Sequence, residues 1–354
     1  MSEKEWAQEL RRSVLKPSSF LEKGWISKET FESSSELEGQ LQFRVPRSFD
    51  KAITSEVTEI AKQFVPDKEE LIYHQSEIAD PIGDEVFEPV EGITHRYSDR
   101  VLLKPTHQCA VYCRFCFRRE RVSHSGHELS GEALERAINY IRENKGIREV
   151  IFSGGDPLTL TNKRLAHILD FLAPIQHVKL VRFHTRVPTV LPSRITDELI
   201  SLLRNCGKTV WIVAHINSHK ELSPISREKI SKLADSGIPL LQQGVLLKGV
   251  NDSLEKLLDL FWNLIELRIK PYYLHYPDLA HGTSHFRLPL DIAISLYSQL
   301  RGQMPGYGIP GFVVDIPRGG GKVLVDVTRS KMIESGLWEF TSPVDGKTHV
   351  VDYR

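Results

Sequence analysis

The sequence is short of several things, and each shortage removes a class of protein. Acidic and basic residues are equal in number, 46 of each in 354 residues. No net field therefore draws the chain to nucleic acid or an anionic membrane, and a small molecule is the default partner. No stretch reaches 18 uncharged apolar residues, and the opening segment Met1–Trp6 is charged where a secretion signal would be apolar. The expectation is a cytoplasmic protein without a membrane span. Only four cysteines are present, too few for a disulfide framework in a chain this long.

What is there is an ordinary globular balance, 40% hydrophobic and 26% charged, enough to bury one large core with or without extensions. Residues 1–95 mix helix-favouring charged stretches with loop segments such as Asp80-Pro81-Ile82-Gly83-Asp84, which predicts a mainly helical N-terminal extension. From Arg100 onward short apolar or β-branched runs alternate with longer amphipathic segments, the pattern of βα units on a parallel sheet. The runs are Val101–Lys104, Val150–Ser153, Leu180–His184, Val210–Ala214, Leu240–Leu247 and Pro271–Tyr276. Six units are too few for a closed eight-unit barrel but suit a partial (β/α)6 barrel over residues 96–310, with its chemistry in the loops after the strands. A further segment, 311–354, holds the runs Phe312–Ile316 and Val323–Val327, which are predicted to return to the sheet.

Three of the cysteines, Cys109, Cys113 and Cys116, form a C-x3-C-x2-C set just after the first predicted strand. Three thiolates on a [4Fe–4S] cluster leave one iron open. The competing reading is structural zinc, with His107 or His124 as a fourth ligand, although zinc is more often held by paired C-x2-C units. Cys206 follows an apolar helical pattern and reads as a buried structural thiol. His281 and His285 could be set beside Asp278 as metal ligands, but the intervening Gly282 argues against a helix presenting both, and His124 and His127 read as a solvated loop. Phe115 precedes the last cysteine, so the motif resembles the C-x3-C-x-aromatic-C of the radical-SAM superfamily. That resemblance implies S-adenosylmethionine chelated at the open iron. It also implies that Gly154, Gly155 and Asp156, one βα unit later, contact the methionine end of that cofactor.

Lys322 follows three glycines between two apolar runs. An exposed lysine amine can condense with the aldehyde of pyridoxal phosphate; by spacing alone, a phosphate-binding loop or a plain turn is the favoured reading. The segment lacks the G-x4-G-K-[ST] pattern of a P-loop.

The chain as a whole resembles the lysine 2,3-aminomutase family from about Arg96 to Lys322. The likeness is carried by Arg96-Tyr97-Ser98-Asp99-Arg100, the cysteine segment through Arg118-Arg119, Ser153-Gly154-Gly155-Asp156-Pro157, Thr185-Arg186-Val187-Pro188, His215-Ile216-Asn217 and Asp315-Ile316-Pro317-Arg318-Gly319-Gly320-Gly321-Lys322. It implies that Lys322 holds pyridoxal 5′-phosphate, with Arg96, Tyr97 and Arg100 near its phosphate. It further implies that Arg118 grips the substrate carboxylate and that Asp278 and Asp315 meet the distant ammonium of L-lysine. The activity implied is conversion of L-lysine to β-lysine, fed by an electron donor such as a flavodoxin or ferredoxin, in a possible homo-oligomer. Alternatives are an aminomutase for another amino acid or a non-catalytic iron–sulfur or zinc protein. Two departures stand out: Arg318 sits where the family usually has glycine, and no cysteine follows Cys206, so the zinc site of the larger aminomutases is expected to be absent. This short form resembles the subfamily that supplies β-lysine for modification of elongation factor P.

Overall fold

The computed structural model describes residues 3–49, 52–53, 58–122, 128–325, 330–342 and 346–352. His124 and His127 lie outside them. The first part is built from short helices: α1 (Glu3–Arg11), α2 (Pro17–Glu22), α3 (Lys28–Glu32), α4 (Ser34–Gln40) and α5 (Glu59–Phe64). Two of them start on side-chain oxygens that accept otherwise unpaired backbone N–H groups: Ser27 accepts from Thr30 before α3, and Thr58 accepts from Ala61 before α5, while Pro17 opens α2.

An antiparallel hairpin, β1 (Ile93–Tyr97) and β2 (Arg100–Thr106), then opens the main sheet. With β2 as the strand of the first, six βα units run on through α6 (Gly131–Glu143), β3 (Glu149–Gly154), α7 (Asn162–Leu172), β4 (Leu180–Thr185), a single turn α8 (Val187–Val190) with α9 (Asp197–Arg204), β5 (Thr209–His215), α10 (Pro224–Asp235), β6 (Leu240–Val245), α11 (Leu254–Glu266), β7 (Ile269–His275) and α12 (Leu290–Ser298). β8 (Gly311–Ile316) continues the parallel run and β9 (Gly321–Leu324) turns back antiparallel on it. The strand order is β1 through β9 in sequence order, a curled and open half-barrel. The six expected strands are all present and the seventh run joins them as β8. A second sheet, β10 (Ser330–Glu334), β11 (Leu337–Thr341) and β12 (Thr348–Asp352), was not foreseen in the sequence.

The parallel strands are apolar because both faces are covered. In β3, Val150, Ile151 and Phe152 are all buried, and Phe152 stacks on Phe183 of β4 at 4.6 Å between ring centroids. Helices supply single stripes. In α6 the buried residues are Ala133, Leu134, Ala137, Ile138 and Ile141, spaced by three and four, and Ser130 caps the first turn by accepting from Ala133. No helix among the described residues is long and apolar enough to cross a membrane.

Candidate active site

The cysteine loop leaves the carboxyl end of β2 and is tied down from three sides. The end of β3 donates to it: Gly155 N to Thr106 O and Asp156 N to Gln108 O, both 2.8 Å. That approach is close enough to require glycine. A Cβ on Gly154 would stand 2.7 Å from Thr106 O at a φ of +98°, and one on Gly155 would stand 2.2 Å from Gln108 O. The N-terminal part supplies the second side, where Arg44, in the segment after α4, donates to Cys109 O (2.9 Å) and Gln63 O of α5 accepts from Arg114 N (2.8 Å). The third is ionic. Glu70, fully buried, pairs with Arg114 (2.7 Å) and Arg119 (2.6 Å), which flank the last cysteine. Burial alone would raise the Glu70 carboxyl, but the two guanidinium groups bring it down to about 2.

Cys109, Cys113 and Cys116 are free thiols lining one cavity of about 520 Å3 at the mouth of the half-barrel. Burial raises all three thiols, Cys116 to about 11, so an unligated site holds them neutral and a cation is needed to hold thiolates there. Among the described residues no three His, Cys, Asp or Glu side chains converge as ligands of one metal ion. His281 faces Glu120 at 3.1 Å instead of Asp278, and Cys206 packs half-buried against the core.

Every site residue anticipated from the sequence lines this cavity: the three cysteines, Gly154, Gly155, Asp156, Arg96, Tyr97, Arg100, Arg118, Asp278, Asp315 and Lys322. Their engagements differ. The Asp156 carboxylate accepts from Thr185 Oγ1 (2.7 Å), Arg186 N (2.7 Å) and Leu158 N (3.0 Å), so it fixes the end of β4 and is occupied within the protein. Arg118 Nε pairs with Asp84 at 2.5 Å and its Nη1 donates to Ser153 Oγ at 3.1 Å. Asp84 gave no signal in the sequence, since it lies 34 positions away in the segment read as a loop.

In the same cavity Asp315, its side chain nearly buried, gathers the ammonium of Lys322, His275 Nδ1 at 3.5 Å and Arg96 Nη1 at 3.9 Å. Burial works against the Asp315 charge, but His275 and Lys322 overcome it and hold the carboxyl well below its usual range. Asp278 shows the reverse: burial, then the facing Asp315, push it up to about 7. Burial also lowers His184, His215 and His275, all of which line the cavity. Tyr97 Oη accepts from Lys322 N at 3.3 Å, and Arg100 lies over the Tyr97 ring at 5.2 Å. Arg318 takes a left-handed φ of 59° and donates its N–H to Pro81 O (2.9 Å), a conformation that glycine adopts without strain.

A half-barrel of parallel strands with three cysteines after its first βα strand defines a class, and residues 103–261 match the model of the radical SAM superfamily. Membership implies S-adenosylmethionine and an iron–sulfur cluster. Relatives narrow the class. The chain is 44% identical to L-lysine 2,3-aminomutase of Methanococcus maripaludis over 266 residues, 75% of this chain and 61% of the relative. It is 40% identical to glutamate 2,3-aminomutase of Clostridioides difficile, over 70% of this chain and 58% of that one. A Treponema pallidum protein provisionally named L-lysine 2,3-aminomutase is 37% identical over 72% of this chain and 71% of its own length. The chain belongs to the lysine 2,3-aminomutase family. It spans a little over three-fifths of the length of the first of these relatives.

Proposed function

We propose that the protein is a 2,3-aminomutase that moves the α-amino group of L-lysine to C3, using a [4Fe–4S] cluster on Cys109, Cys113 and Cys116, S-adenosylmethionine and pyridoxal 5′-phosphate on Lys322. The observation that carries the choice of substrate is the pair Asp278 and Asp315. Two carboxylates face one another in a partly dehydrated wall, and their repulsion is relieved by a bound ammonium. A glutamate side chain would add a third negative charge there.

The residues fit the cofactors. Arg96 Nε is buried without a partner in a wall shared with Tyr97, Arg100 and Lys322, so a phosphate would satisfy an atom the protein leaves unpaired. When bound, pyridoxal phosphate supplies the aldehyde that conjugates the migrating nitrogen, and S-adenosylmethionine with the cluster supplies the hydrogen-abstracting agent. The chain's own part is placement. Arg118, its Nε held by Asp84, presents the remaining edge of its guanidinium to a carboxylate, while Asp278 and Asp315 anchor the far ammonium. Two fixed ends set which carbon faces the reacting group, and the buried walls keep water from it. The electron is expected from a small carrier of the ferredoxin or flavodoxin kind, and assembly into a homo-oligomer belongs to the same proposal.

The test is an anaerobic assay of the reconstituted protein with a reductant and a panel of lysine, glutamate, ornithine and alanine. β-Lysine as the main product is expected. A protein shown to hold cluster and pyridoxal phosphate that turns over another amino acid, or none, sinks the proposal.

A further inference from the structure

Arg186, the first residue after β4, is committed entirely to the interior beside the cysteines. Its Nη1 donates to Cys113 Sγ at 3.0 Å. Its Nη2 donates to Glu221 Oε2 at 3.0 Å and to Gln63 Oε1. The guanidinium carbon lies 4.4 Å from the Phe64 ring centroid and 5.5 Å from that of Phe115. Arg186 and Glu221 expose only 5% and 0% of their side chains, so solvent screens neither charge. Its backbone N–H is fixed on Asp156, which aims the side chain. Among the described residues no comparable side-chain donor reaches the sulfur of Cys109 or Cys116.

From this geometry we propose that Arg186 is a positioning residue that raises the reduction potential of the cluster through Cys113, and that Glu221 is the counter-charge limiting the rise. Reduction adds a negative charge to the cluster and concentrates density on its sulfurs. A hydrogen bond and a cation at one thiolate favour that state, and a buried carboxylate beside the cation opposes it. Glu221 does not touch the sulfur, so its influence passes through Arg186. The arrangement therefore makes two neighbouring residues act on one property with opposite signs, which a merely structural pair would not do. The inference rests on the cluster alone and not on the identity of the amino acid substrate.

The experiment is a redox titration of the anaerobically reconstituted protein, without S-adenosylmethionine, followed by the electron paramagnetic resonance of the reduced cluster. Iron and sulfide are measured on every sample. Arg186→Gln is expected to shift the midpoint to a more negative value, and Glu221→Gln to a less negative one. Should Arg186→Gln fail to hold a full cluster, Arg186→Lys, which keeps the cation, and Glu221→Gln carry the test, with a smaller negative shift and a positive shift expected. Midpoints that stay put at full cluster content, or that move in the same direction in both residues' variants, overturn the proposal. Failure to make β-lysine would leave these potentials unaffected, so the two proposals fail separately.

Discussion

Lowering the pH should weaken lysine capture well before it harms the protein, because one of the two carboxylates proposed to meet the ammonium is poised near neutrality. Asp278 is pushed up to about 7 by burial and by Asp315, against the partial relief of Lys322, Arg118 and Arg96. A group with that midpoint is about nine-tenths ionised at pH 8 and about one-tenth at pH 6, while the side-chain ammonium of lysine, with a pKa of about 10.4, stays charged throughout. If capture needs ionised Asp278, kcat/KM for lysine falls about tenfold between those two values and continues to fall tenfold per unit below them. The free-enzyme parameter kcat/KM is the right readout, since bound lysine would itself hold Asp278 ionised and flatten kcat. Asp278→Asn separates this residue from its neighbours. The variant loses a charged contact worth about 1.5–3 kcal/mol, a drop of roughly tenfold to a hundredfold at pH 8, and it loses the limb near 7. Any residual acid limb then begins below 6.5, where burial has moved His184, His215 and His275. A wild-type kcat/KM that is flat from pH 6 to 8, or an Asp278→Asn variant that keeps the same limb, refutes the reasoning.

Three further outcomes are expected. Glu70→Gln leaves Arg114 and Arg119 buried with one charge partner fewer and should cost about 3–5 kcal/mol in denaturant unfolding. Because the folded Glu70 carboxyl sits at about 2 instead of 4.5, its contribution is complete above pH 4.5 and is lost as the pH falls toward 2; a stability curve for Glu70→Gln parallel to wild type over that range would contradict it. Gly155→Ala drives a methyl group into Gln108 O, so the cysteine loop must move, and iron and sulfide per chain should drop by more than half; full content would show that the loop yields freely. Asp84→Asn removes the anion that aims Arg118, and KM for lysine should rise about tenfold with kcat changed far less; an unaltered KM would mean that Ser153 alone suffices.

How much of this was legible in the sequence depended on distance along the chain. The strands showed because a buried parallel strand needs a continuous apolar run, as in Val150–Ser153, and the helices between them because each has one apolar stripe. Spacing also exposed the cysteines, which lie within eight residues. β1 was missed because its Thr-His-Arg-Tyr run is polar on both faces, as an edge strand's often is, and the β10–β12 sheet because its short runs are interrupted by charges. Asp84 and Glu70 were invisible for a different reason. Each is one acidic residue among many until the fold carries it across 34 and 44 positions to Arg118 and Arg114. Asp156 was read toward the cofactor because it follows two glycines, and only its hydrogen bonds show that its carboxylate is spent on β4.

The segment that matches the superfamily starts at residue 103, yet the side chains that grip its cysteine loop and its arginines come from residues 44, 63, 70 and 84. The barrel is thus not a portable cartridge. A chimera that transplants strands β2 to β8 into a relative would sever Gln63 from Arg186, Glu70 from Arg114, and Asp84 from Arg118, each a buried charge or donor left without its mate. Working hybrids in this family are therefore expected to cross over ahead of residue 41, since Leu41 O and Gln42 O also accept from Arg114 and Arg44 holds Cys109 O, and sequence drift in that leading stretch is expected to be paired with drift in the loop it holds.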